Sequence, residues 1–314
     1  MKNVRRPEKI EANKIGLVKY VRNEYDLYLM LIPMVVAYLV FSYRPMVNLI
    51  IAFKDYSPFL GPWESKWIGL EHFREFFSSP YAYRIIRNTL TISISSLLFS
   101  FPAPIILALM LNEVSNARFR KLAQTVTYIP HFISIVVICG MVNSFLSPTS
   151  GVVNKIIEFF GGDSVYFMSK PELFVPIYIF TIIWRNTGYS SIVYIAALTA
   201  IPSELYEAAE VDGAGRWKQM LHVTLPGILP TIVVMLLVQL GKILNVGYEI
   251  IILLYNPGTY ETADVINTYV YRTGILEGRY DYATAIGLLN SIVALVLVLV
   301  ANHFSHKLTE TSLW

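Results

Sequence analysis

Three basic residues, Arg44, Arg185 and Lys242, interrupt long apolar runs of the chain. An ionisable side chain at the centre of a membrane helix costs roughly 2.5–3.5 kcal/mol on insertion scales, so it points to function unless a partner neutralises it. Arg185 stands in "IIWRNTGYSS", with Trp184 and Asn186 on either side and Tyr189 one helical turn on. Lys242 stands in "QLGKILNVGYE", where Asn245 and Glu249 fall at i+3 and i+7 on one face of a continuous helix, with Tyr248 beside them. Flat rings for stacking and amides for directed hydrogen bonds are what a sugar ring and its hydroxyls need. If both cations face a common path, they suit an anionic oligosaccharide, such as one containing uronic acids. The structural alternative has Lys242 paired with Glu249, Arg185 capping backbone carbonyls or pairing with another chain, and Arg44, next to Pro45, snorkelling to the interface.

Other chemistries find no constellation. His131 follows Pro130 and His222 lies in a polar stretch, but neither has a second His, Cys or carboxylate at ligand spacing, so no metal site is expected. Glu207 and Glu210 stand i,i+3, a common arrangement on a solvated helix face, and no catalytic residue is assigned. The single cysteine, Cys139, excludes an intrachain disulfide and reads as a small apolar packing residue. Gly241-Lys242-Ile243 lacks the upstream glycine and the hydroxyl of a phosphate loop, so the chain is not expected to hydrolyse ATP alone.

The elements that must position these residues are membrane helices. Apolar residues make up 55% of the chain, charged residues 15%, and mean hydropathy is +0.52, against about 25% charged in soluble domains. Six runs are long enough for a ~30 Å hydrocarbon core, at 27–53, 88–111, 122–146, 173–200, 227–254 and 283–302. An all-α bundle over 27–314 is expected, preceded by a charged arm, 1–26, that lacks a cleavable signal. Lys and Arg are in excess on the side of the arm, which places both termini in the cytoplasm. The connections 54–87 and 147–172 suit short amphipathic helices at the interface, with Trp63 and Trp67 as belt anchors. The tyrosine-dense segment 255–282 reads as belt or packing before sugar stacking.

Between two of the most apolar runs lies "PSELYEAAEVDGAGRWKQMLHVTLPGILP", residues 202–230. Pro202 ends the fourth run, Ser203 is an N-cap candidate, and Glu204 and Glu207 sit in the first turns of a short helix. Gly213-Ala214-Gly215 stops it, and a second helix carries Arg216, Trp217, Lys218, Met220, Leu221 and His222 until Pro226 separates it from the fifth run. Such a finger either docks into a groove on another protein or folds back on the bundle.

Residues 207–226 resemble the EAA loop of ATP-binding-cassette importer permeases: Glu207-Ala208-Ala209, three residues, Gly213, nine residues, then Val223-Thr224-Leu225-Pro226, with valine where isoleucine is usual. Tyr128-Ile129-Pro130, the "YNP…YETADVI" segment and the terminal "SLW" are similar to the carbohydrate-uptake permeases of the LplB-like oligosaccharide branch. The resemblance implies a MetI-like type I importer fold, with six transmembrane helices and a cytoplasmic coupling loop at 202–226. It implies as partners a second homologous permease chain, two cytoplasmic ATPase subunits that carry ATP and Mg, and an extracellular solute-binding lipoprotein, in a bacterial plasma membrane. This chain would itself hold no cofactor and bind no nucleic acid. Glu207 would be the acidic contact to the ATPase, Ala208 and Ala209 would permit close approach, and Gly213 would supply the turn; Asp212, Arg216, Trp217, Leu225 and Pro226 belong to the same contact. Trp184, Arg185, Asn186, Tyr189, Lys242, Asn245, Tyr248 and Glu249 would line the substrate path. The alternatives are the same machine carrying glycerol phosphate, a peptide or a polyamine, or a membrane scaffold that transports nothing.

Overall fold

The computed structural model describes residues 25–309, so the arm 1–26 and the terminal "SLW" lie essentially outside it. Among the described residues four helices are long and apolar enough to cross a membrane: Tyr25–Phe53, Ala82–Glu113, Arg216–Leu240 and Tyr280–His303. Two bent pairs, Ala117–Phe132 with Ile135–Phe145 at 102° and Pro171–Thr199 with Ser203–Val211 at 69°, raise the number to six. Among the described residues the strands are one small antiparallel pair, with Lys54 opposite Trp67 and Asp55 opposite Lys66. Two units are distinguished, 1–50 and 51–314. In the first, the helix Tyr25–Tyr38 runs through a π turn, Leu39–Tyr43, and Arg44 is exposed just beyond it.

That π turn recurs in the second unit, and at Arg44-Pro45 and Leu225-Pro226 a proline supplies the physical cause. A proline inside a helix donates no hydrogen bond, and its ring clashes with the carbonyl four residues back. At Arg44-Pro45 the preceding amide reaches back five residues to Leu39 O, and at Leu225-Pro226 it reaches Met220 O, which widens the helix ahead of each ring. Pro226 therefore does not separate the finger from the fifth span, as the sequence suggests. The helix runs unbroken from Arg216 to Leu240.

Two further expectations are corrected by backbone breaks. The third run is not one straight span, because the helix containing Pro130 ends at Phe132 and turns through 102° before Ile135. The fifth run ends at Leu240, and residues 241–247 turn before a new helix, Tyr248–Leu254. Gly241, Asn245 and Gly247 are poor helix formers, and other spans satisfy the freed backbone groups. Lys242, Asn245 and Glu249 consequently do not share one helical face.

The fourth helix, Pro171–Thr199, is the axis of the second unit. Its Phe174 and Tyr178 pack with Ile92, Cys139, Val246 and Ile251, and its Tyr194 and Leu198 pack with Ile105, Ala108 and Ile228. Cys139 is thus the buried packing residue its type implies. Gly188 marks a close crossing, since a Cβ there would lie 2.0 Å from Thr127 O of the third span. Small residues at such crossings let helix backbones touch where lipid supplies no hydrophobic drive.

At the start of the second span a polar strap joins it to the 261–272 segment. The fully buried Asp264 accepts hydrogen bonds from Arg272 Nη2 at 2.7 Å and Nη1 at 3.3 Å and from Thr268 Oγ1 at 2.9 Å, with Arg84 Nη2 at 3.5 Å. Asn88 donates to Glu261 O and Asp264 O, and Arg87 pairs with Glu261 at 2.9 Å. Burial alone would lower the Arg272 guanidinium pKa, but the hydrogen bond and charge of Asp264 outweigh it and hold the pKa above its usual range. Tyr269 and Tyr282 pack in a core with Phe76 and Ile85, their hydroxyls 3.3 Å apart, so part of the tyrosine density of 255–282 is packing.

Candidate functional site

The finger is a nine-residue helix, Ser203–Val211, whose N-cap position is Pro202 and not Ser203; proline's fixed φ suits that position and no side-chain cap is made. Its end is a Schellman turn. The amide of Gly213 donates to Glu210 O at 2.9 Å, the amide of Ala214 donates to Ala209 O at 2.8 Å, and Gly213 takes φ 72°, which a side chain would strain. Gln219 Nε2 donates to Ala214 O, and the Tyr206 and Thr224 hydroxyls lie 3.0 Å apart, so the finger is pinned to the base of the fifth span.

Glu207, Ala208, Asp212, Gly213, Arg216, Trp217 and Pro226 are exposed on this projection, whereas Ala209 and Leu225 are half-buried. Val211 is 88% and Trp217 73% exposed, so the apolar side chains do not fold back on the bundle. A charged helix with projecting apolar knobs has the chemistry of a plug for a groove.

The second assembly is a cavity of about 560 Å³ bounded by the second to fifth spans and the 241–247 break. Six of the eight candidate pathway residues line it: Arg185, Asn186, Tyr189, Lys242, Asn245 and Glu249. Trp184 and Tyr248 do not, Trp184 lying on another side of its helix and Tyr248 being turned away by the new helix that starts there. Among the described residues Lys242 and Glu249 form no ion pair, so the structural alternative of pairing them is not realised. Among the described residues Arg185 caps no backbone carbonyl; its Nη1 donates to Asn186 Oδ1 at 3.2 Å and its buried Nε has no partner.

Several lining residues carry no signal in the sequence. Ser93, Ser96 and Ser100 present hydroxyls from one face of the second span, at helical spacing within the run "SISSLLFS". His131, weighed in the sequence only as a metal ligand and set aside, stacks on Tyr189 with ring centroids 3.9 Å apart and planes 1° from parallel. Its Nδ1 lies 3.4 Å from Asn186 Oδ1. The bend after Phe132 brings it there, and a straight third span could not have been read that way. The Ser100 and Thr187 hydroxyls join Arg185 Nε as buried polar atoms without a protein partner in this wall. Buried donors of that kind are matched by water or by a ligand. The cavity therefore combines ring faces, amides and unengaged hydroxyls with one acid and two cations that have no ion-pair partner among the described residues.

Residues 78–309 match the family model described as binding-protein-dependent transport system inner membrane component. The chain is similar to the polygalacturonan/rhamnogalacturonan transport system permease protein YteP of Bacillus subtilis (strain 168), with 44% identity over 306 residues that cover 98% of this chain and 95% of that one. Protein LplB of the same organism is 43% identical over 288 residues, covering 92% of this chain and 91% of its own. Among solved structures, a chain of a bacterial alginate ABC transporter, in complex with an alginate pentasaccharide-bound periplasmic protein, superposes with a TM-score of 0.89 at 52% identity. That match covers 95% of this chain and 99% of the other.

Proposed function

Since the chain belongs to the family of binding-protein-dependent transport system inner membrane components, multi-pass transporter subunits and not enzymes, we propose that it conducts a uronate-containing oligosaccharide inward as one of two permeases of an ATP-driven importer. The observation that carries this reading is a pair of cations, Arg185 and Lys242, with no acidic partner among the described residues, in the wall of a cavity that also offers rings and amides. Its volume lies in the range of small-molecule sites. The names of YteP and of the alginate transporter, which concern acidic polysaccharides, support the same substrate class.

In this reading the finger docks on one of two cytoplasmic ATPases, which hold ATP and Mg, with Glu207 as the acidic contact and Ala208, Ala209, Gly213 and Trp217 shaping the fit. Both termini lie in the cytoplasm of a bacterium, and an extracellular solute-binding lipoprotein delivers the saccharide on the opposite side. Closure of the ATPases on ATP pushes the fingers together and exposes the cavity outward; reopening exposes it inward. The second permease completes the path. Alternating access of this kind is a shift between two rigid arrangements, biased by whichever ligand each one prefers.

The test is saccharide-stimulated ATPase activity of the assembled complex with its binding protein, for uronate and neutral oligosaccharides of equal length. A hydrogen bond to a charged group contributes about 1.5–3 kcal/mol, so Arg185→Gln and Lys242→Gln should each raise the half-saturating concentration of the acidic sugar by roughly 10- to 100-fold. The neutral sugar should change little. Unaltered response to the acidic sugar in both variants refutes the assignment.

A further inference from the structure

The 241–247 break is held in an unusual way. Three short-range bonds shape it, from the amides of Lys242, Ile243 and Asn245 to Gln239 O, Leu240 O and Lys242 O at 3.0, 3.2 and 2.9 Å. The Ile243 carbonyl and the Gly247 amide take partners from neither adjoining helix. Ser93 Oγ, on the second span, donates to Ile243 O at 2.6 Å, and the Gly247 amide donates to Tyr178 Oη, on the fourth span, at 3.1 Å. Ser93 and Tyr178 are each 2% exposed. Within the break Leu244 and Val246 are buried while Lys242 and Asn245 are exposed, so apolar anchors face one way and polar side chains the other.

Irregular backbone at membrane depth persists where protein satisfies it or where it lines a water-filled cavity, and this segment does both. One external donor and one external acceptor, from two different spans, fix a loop that would otherwise be free to change its turns. We propose that Ser93 and Tyr178 are positioning residues for charge discrimination: by clamping Ile243 O and the Gly247 amide they fix where Lys242 and Asn245 stand in the cavity, and so determine how well a substrate carboxylate is read. This deepens, and rests on, the acidic-oligosaccharide reading above. Arg185 sits on a continuous helix and needs no such clamp. Lys242, on the turn, does.

The experiment is a double-mutant cycle on the assembled complex, with the ratio of half-saturating concentrations for neutral and uronate oligosaccharides as the readout. Ser93→Ala and Tyr178→Phe each remove one hydroxyl and leave the side-chain volume nearly intact. Each should reduce the preference for the acidic sugar by about tenfold, the scale expected when a buried polar group loses its partner. In a Lys242→Gln background the same changes should reduce it no further, because the effect passes through Lys242. An equal loss for both sugars, or a loss that adds to that of Lys242→Gln, assigns the two hydroxyls a purely structural role and overturns the proposal. A second arm needs no sugar: in a Cys139→Ala background, thiol modification of Asn245→Cys should become several-fold faster when Ser93→Ala or Tyr178→Phe is added. A wild-type complex that no saccharide stimulates refutes the functional reading, and the labelling arm then decides the positioning role separately. Unchanged labelling overturns that role.

Discussion

Gly188→Ala tests the packing that places the cavity walls, because two effects of opposite sign meet there. Helix propensity favours alanine over glycine by about 1 kcal/mol at an interior position. Sterics oppose it: the added Cβ would sit 2.0 Å from Thr127 O, 2.4 Å from Thr127 C and 2.9 Å from Tyr128 N, all backbone atoms that no rotamer can move. Restoring a normal contact of about 3.5 Å requires the third and fourth spans to part by on the order of 1.5 Å. Overpacking of this kind costs roughly 1–3 kcal/mol and sometimes more, so the net effect is destabilising despite the propensity gain. The same separation pulls His131 from Tyr189 and from Asn186, which contact it across this crossing. Thermal unfolding of the purified complex should shift downward, and saccharide-stimulated ATPase should fall with a raised half-saturating concentration. Wild-type melting together with wild-type half-saturation for Gly188→Ala would show that the crossing is looser than described.

Two further outcomes follow from the geometry. Asp264→Asn leaves Arg84 and Arg272 facing a neutral amide in a fully buried position; breaking a buried ion pair costs about 3–5 kcal/mol, so melting of the complex should drop far more than for Asp212→Asn on the exposed finger, and equal melting of the two variants contradicts the strap. Glu207→Ala removes an exposed side chain that forms no ion pair among the described residues, so the chain should keep its stability while ATPase activity loses its response to saccharide; a retained response refutes the coupling role.

The finger was legible in the sequence because its determinants are local. Pro202 excludes helix on one side, Gly213 supplies the left-handed turn, and the acids sit in the first turns; each acts within a few residues. Six of the eight candidates proposed from the sequence line the cavity, and they were legible for a different reason, namely that charge and amides in apolar runs are expensive enough to mark themselves. The break at 241–247 was not, because "ILNV" continues the run with a single asparagine and the hydroxyls that take the Ile243 carbonyl and the Gly247 amide, those of Ser93 and Tyr178, lie far away in sequence. His131 was invisible for the same reason, its role depending on a bend that local propensity does not announce. Pro226 misled in the opposite direction: a breaker by type, it is tolerated by a π turn that no sequence period encodes.

That tolerance has a mechanical consequence. Arg216–Leu240 is one continuous helix of about 37 Å, from the finger at one end to the 241–247 turn at the other, with a π turn and Pro230 within it but no loop between its ends. A rod converts rotation at its base into displacement at its tip: tilting by about 10° around its midpoint carries each end some 3 Å, in opposite directions. Thrust applied to Arg216 or Trp217 therefore arrives at Lys242 as a sideways stroke of comparable size, instead of dissipating in an intervening loop.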